Sequence, residues 1–195
     1  MSTNHLPRSS ELMSSTNTAL LLIDIQEKLI PVINQRQIVL WNARRLLDSA
    51  VILDLKRFST EQNPLRLGKT IAELSERIPS EPAEKMSFSS ATCAAIIDQL
   101  QQSRISKVLL CGIETHVCVQ QTALDLIGAG FEVYVAVDAV GSRYELDHHV
   151  AIHRLRESSV TITTTEAVIF EWCERADRPE FKKLSALVKE APPAS

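Results

Sequence analysis

Unbroken apolar runs alternate along this chain with segments whose apolar positions recur every three or four residues. The run Ala19-Leu20-Leu21-Leu22-Ile23-Asp24-Ile25, interrupted by one carboxylate, predicts a central parallel strand covered on both faces. Residues 35–50 carry Ile38, Trp41, Leu46 and Leu47, which fits a crossover helix. A second strand is expected over 51–58, although Asp54, Lys56 and Arg57 dilute its apolar content, and 60–64 reads as a loop. Residues 65–82 read as a linker with a short helical piece at 71–77. An extended segment near 85–88 and a helix over 91–101, capped by Ser89 or Ser90, follow. Residues 107–112 predict a further buried strand, and 115–127 a helix with Val117, Ala123, Leu124 and Ile127 facing the core. Strands at 131–137 and 160–163 and helices at 145–157, 166–173 and 180–189 complete the pattern. Such alternation predicts a three-layer α/β domain, a mostly parallel sheet with helices on both faces. The polar residues 1–17 and 191–195 are expected to be flexible tails around one domain at 18–190.

Composition narrows the function classes. A length of 195 residues fits one domain, and 45% hydrophobic residues suffice for a sizeable core. The 21 Lys+Arg against 24 Asp+Glu give a net charge of -3, so the cationic footprint of a nucleic-acid binder is missing. No apolar run approaches the ~20 residues that span a bilayer, and the first residues lack a signal-peptide core, so a cytoplasmic protein without membrane contact is expected. Cys93, Cys111, Cys118 and Cys173 form no C-x-x-C pair, which suggests reduced thiols and no zinc knuckle. His149 and His153 share a helix face but lack the glutamate of H-E-x-x-H and a third ligand. With no P-loop and no G-x-G-x-x-G, neither a metal nor a cofactor is expected.

In an open parallel sheet, ligands bind beyond the carboxyl ends of the strands, so reactive residues at strand-to-loop junctions carry the most information. Asp24, Lys85 and Cys118 occupy such positions. With Thr115 as N-cap, Cys118 would sit in the first helical turn, where free amides and the helix dipole lower a thiol's pKa. The competing reading is a small buried hydrophobe, which also suits Cys93, Cys111 and Cys173. Asp24, flanked by Ile23 and Ile25, must find a cation or hydrogen-bond donors if buried. Lys85 alone reads as a solvated surface residue; beside Asp24 it completes a base, a cation and a nucleophile. A redox-sensing thiol is a third reading, with Cys111 as the partner of Cys118 to test.

Leu21-Leu22-Ile23-Asp24-Ile25-Gln26, Lys85-Met86-Ser87-Phe88-Ser89 and Cys111-Gly112-Ile113-Glu114-Thr115-His116-Val117-Cys118-Val119 resemble, in order and spacing, the isochorismatase-like cysteine hydrolase superfamily. The similarity continues through Gln121 to Leu126, Val137 to Val140 and Thr163 to Glu166, covering roughly residues 18 to 172. The resemblance implies a six-stranded parallel sheet with Asp24, Lys85 and Cys118 converging as catalytic residues, and a cis peptide between Ile113 and Glu114. It further implies an oxyanion hole from the amides of Glu114 and Cys118, and substrate contacts at Gln26, Phe88, Thr115 and His116. The implied activity is cleavage of a C–N bond in a small amide-like substrate through a thioester. Members that cleave isochorismate typically lack the cysteine, and the histidine that nicotinamidases use for a metal is missing from residues 59–68. Homo-oligomers are implied, with the helices near Glu145 and Glu180 as candidate surfaces. The alternative is a catalytically quiet binding or interaction protein on the same fold.

Overall fold

Residues 18 to 23 are all buried, and alternate side chains leave the strand on opposite faces. Leu20 and Leu22 join one apolar cluster, whereas Ala19, Leu21 and Ile23 join another. This strand is therefore the middle layer of a three-layer molecule. In the computed structural model, which describes residues 7–193, it is β1 (Thr18–Ile23) of a six-stranded sheet. The others are β2 (Lys56–Gln62), β3 (Ala83–Lys85), β4 (Lys107–Ile113), β5 (Glu132–Gly141) and β6 (Thr161–Thr163). Their order is β3-β2-β1-β4-β5-β6, and every pairing is parallel.

Helices α1 (Arg36–Ile52), α7 (Thr165–Cys173) and α8 (Phe181–Val188) supply Leu46, Leu47, Trp172 and Leu184 to the cluster that holds Leu20 and Leu22. Helices α4 (Ala94–Gln102), α5 (Gln120–Gly128) and α6 (Glu145–Glu157) supply Ile96, Ala123, Leu126 and Leu155 to the opposite one. Two single-turn helices, α2 (Pro64–Leu67) and α3 (Ala72–Ser75), fill the connection between β2 and β3. The crossover after β1 thus lies on one face and the crossover after β4 on the other. The order in which strands are added reverses between these neighbouring parallel strands, and that switch point opens a crevice at their carboxyl ends. Gly112 makes the close approach possible: its φ is +128°, and a Cβ there would lie 2.1 Å from the Ile23 carbonyl oxygen.

Three sequence expectations are corrected. The second strand expected over 51–58 lies later: α1 runs to Ile52 and the strand is Lys56–Gln62, so only 56–58 of that stretch is extended, and part of the expected 60–64 loop belongs to the sheet. Its covered positions near the carboxyl end are Ser59, Thr60 and Glu61, polar side chains that hide the strand from an apolar-pattern reading. The described part of the expected N-terminal arm, residues 7–17, packs onto the domain. Met13 is fully buried, its amide donates to Glu171 Oε2 at 2.9 Å, and Arg8 Nη1 donates to its carbonyl at 2.6 Å. Residues 1–6 of that arm, and residues 194–195 of the expected C-terminal tail, lie outside the described residues. Third, the helix expected at 115–127 begins with a wide π turn, Thr115–Val119, and α5 proper starts at Gln120.

Candidate active site

Asp24 is the residue that follows β1, in a left-handed backbone conformation (φ 52°) and with no exposed surface. Its amide donates to the Thr60 carbonyl, which holds the turn against β2. An ionised carboxylate so deeply buried needs charge-assisted partners. Lys85 Nζ, from the end of β3, donates to Oδ2 at 2.6 Å, and Thr60 Oγ1 donates to Oδ1 at 2.8 Å. The amine also reaches Gln62 Oε1 and the Phe88 carbonyl, each at 3.0 Å, and the Ser87 carbonyl at 3.4 Å. A lysine that looks like a surface residue in isolation is therefore 6% exposed and fully engaged.

Cys118 sits inside the π turn, 6% exposed, in the apolar cluster between the sheet and α5. The expectation of a depressed thiol pKa is overturned. Burial, the Asp24 charge and a hydrogen bond to Asp24 push the Cys118 thiol up to about 12, against the opposing pull of the Lys85 ammonium and the Glu114 amide. The helical N-terminus that should lower it is displaced by the π turn, and Thr115 does not cap it. Cys118 rests as a thiol, with Asp24 as its hydrogen-bond acceptor.

The peptide between Ile113 and Glu114 is cis. The Glu114 carboxylate accepts from the Arg143 amide at 3.0 Å and from Arg143 Nε at 3.1 Å, tying the turn to the segment after β5. Thr115 is fully buried, and its Oγ1 pairs with His148 Nδ1 at 3.0 Å. His116 is partly exposed, with Nδ1 3.0 Å from Ser142 Oγ. A cavity of about 180 Å³, lined in part by Ser142, Glu145, His148 and His149, adjoins these two contacts, while Asp24, Lys85 and Cys118 do not line it. Phe88 keeps 52% of its surface exposed while its carbonyl holds Lys85.

Gln26, expected as a substrate contact, is spent on the fold. It is fully buried, its Nε2 donates to the Gln62 and Gly68 carbonyls, and its Oε1 accepts from the Gln62 amide. No amide hydrogen is left for a ligand. Cys111 cannot serve as a redox partner for Cys118, since it projects into the apolar cluster on the other side of the sheet. Thr60 and Gln62 were missed by the sequence reading; the register of β1 with β2, in which Ile23 pairs with Thr60, is what brings them to Asp24. Among the described residues no group of three or more His, Cys, Asp and Glu side chains is arranged to hold a metal ion, and no helix is long and apolar enough to cross a membrane.

A family model described as isochorismatase domain matches residues 18–167. Isochorismatase domain-containing protein 2 from Bos taurus is 40% identical over 184 residues, covering 92% of this chain and 86% of that protein. The secreted isochorismatase effector Isc1 of Phytophthora sojae is 34% identical, over 89% and 85% of the two chains. Among solved structures, that of the MAR1 ribonuclease from Caenorhabditis elegans superposes with a TM-score of 0.88 at 36% identity, over 94% of this chain and 95% of that one.

Proposed function

This chain belongs to the isochorismatase family, and on that premise we propose that it is a cysteine hydrolase cleaving the C–N bond of a small amide-like substrate. Family membership supports a hydrolase-like activity; the choice of bond and of nucleophile is our reading. The observation that carries it is the buried Asp24–Lys85 pair, joined at 2.6 Å, with the Cys118 thiol as a further partner of the same carboxylate.

In this reading Asp24 takes the proton from Cys118 Sγ as the sulfur attacks the acyl carbon. The amides of Glu114 and Cys118 accept the negative charge that develops on the carbonyl oxygen. Asp24 then protonates the departing nitrogen, the C–N bond breaks, and a thioester remains on Cys118. Water, losing a proton to Asp24, attacks the thioester; the C–S bond breaks and the proton returns to sulfur. Lys85 holds and orients the carboxylate, and Phe88, Thr115 and His116 form the rim that selects substrate. A cytoplasmic, reducing setting suits the four free cysteines. Self-association is supported by exposed Tyr144, Leu146 and Val150 on and beside α6.

The test is turnover of a panel of small primary amides, with intact-mass detection of an acyl adduct. We expect an adduct on Cys118, and loss of turnover in Cys118→Ala with an unchanged melting temperature. Undiminished turnover by that variant contradicts the reading. A short RNA belongs in the panel because the Caenorhabditis elegans relative is described as a ribonuclease. With a net charge of -3, this chain is expected to leave it uncleaved.

A further inference from the structure

The carboxylate that serves as base has two oxygens, and only one is held by Lys85. The other is held by the Thr60 hydroxyl, which contacts the Ser90 hydroxyl, and Ser90 is tied through its backbone amide to the helix that follows the nucleophile's π turn. Thr60 has a single hydroxyl proton, and it goes to Asp24 Oδ1 at 2.8 Å. In the 3.0 Å contact between Thr60 Oγ1 and Ser90 Oγ, Ser90 is therefore the donor. The Ser90 amide donates in turn to Thr122 Oγ1 at 2.8 Å. Thr122 lies on α5, four residues after Cys118, which sits in the π turn that leads into that helix. Asp24, Ser90 and Thr122 have no exposed surface, and Thr60 has 1%. Water cannot substitute for a missing member, so each bond acts at low dielectric and strengthens the next.

We propose that Thr60 is a positioning residue for the reaction: with Ser90 and Thr122 it locks the Asp24 carboxylate in the rotation that presents an oxygen to the Cys118 thiol. The inference rests on the hydrolase reading above. With Lys85 alone, the carboxylate is anchored at one oxygen and free to turn about that contact. With Thr60 it is anchored at both, and the contacts Asp24–Thr60–Ser90–Thr122 tie the base to α5, the helix that continues from the π turn holding Cys118. A Thr60 that served folding alone would influence stability and leave the chemistry of Cys118 untouched.

The experiment measures the second-order rate of Cys118 alkylation by iodoacetamide at pH 7 in the full-length chain, with each thiol followed by peptide mass spectrometry. Melting temperature is recorded for every variant. Free cysteine under the same conditions is the external reference. Thr60→Val, which keeps the shape and loses the hydroxyl, should slow Cys118 at least fivefold; Thr60→Ser should restore it to within twofold of the parent. Ser90→Ala should slow it two- to threefold, and provides the same test should Thr60→Val fail to fold. Parent-like rates in Thr60→Val, or in Ser90→Ala where the former does not fold, overturn the positioning role while leaving the hydrolase reading intact. Undiminished amide turnover by Cys118→Ala overturns the hydrolase reading, and this inference with it.

Discussion

Two lysines are buried in this fold, at opposite ends of the same sheet, and they do different things. Lys107 begins β4 at the amino end, and its amine donates to the Glu132 carboxylate, to Tyr134 Oη and to the Ser10 carbonyl. Burial pulls that amine down and the Glu132 and Tyr134 bonds push it up by more, so it stays charged. Its partner Glu132 keeps 51% of its side chain in solvent, so water shares in balancing the pair. Lys85, at the carboxyl end, faces an Asp24 with no exposure at all, and the same carboxylate also takes the Cys118 thiol. A buried lysine is thus no marker of chemistry by itself. What separates the two ends is a carboxylate wholly cut off from water and shared with a thiol.

The contrast is sharpest under mutation. Lys85→Met strands the Asp24 charge, and breaking a buried pair from one side costs about 3–5 kcal/mol. Chemical denaturation should show that loss, and alkylation of Cys118 should fall at least tenfold. Lys107→Met strands no buried charge. It removes the bonds to Ser10 and Tyr134, worth about 1–2 kcal/mol together, and loosens the N-terminal segment. Limited proteolysis ahead of Met13 should quicken while Cys118 reacts within twofold of the parent rate. Equal loss of thiol reactivity in the two variants would break the distinction between the ends.

A smaller effect concerns alkaline stability. The Cys118 thiol is raised in the folded chain above its ordinary value of 9.0. The folded state therefore holds this proton more tightly, and the resulting stability is fully present below pH 9 and lost as pH climbs toward 12. Between pH 8 and pH 10 the parent should lose on the order of 1 kcal/mol more than Cys118→Ala in parallel denaturant titrations. Curves that stay parallel would mean that the thiol is not raised.

Legibility in the sequence followed the same division. The apolar runs of β1 and β4 identified the central strands, and with them the junctions at Asp24 and Cys118, because strands covered on both faces must be continuously apolar. The strand β2 stayed hidden because its covered residues, Ser59, Thr60 and Glu61, are polar where they approach Asp24. Local pattern rules fail there because buried polar side chains stand where an apolar pattern is looked for. The N-terminal segment misled in the opposite sense. Its serines suggest mobility, while one methionine and hydrogen bonds to Glu171, Lys107 and Tyr134 hold it down. The electrostatics of Cys118 were illegible because they depend on a π turn in place of an α-helical start, and on a carboxylate 94 positions earlier in the chain.

The central claim is that Cys118 rests as a thiol and reacts through Asp24. Asp24→Asn tests it directly, because the Asp24 charge itself helps to hold the thiol proton in place. If the sulfur acted as a preformed thiolate, removing that charge beside Lys85 would favour ionisation and speed alkylation. The account predicts the reverse, a drop of at least tenfold in the iodoacetamide rate of Cys118 at pH 7. An Asp24→Asn protein whose Cys118 reacts as fast as the parent, or faster, contradicts it.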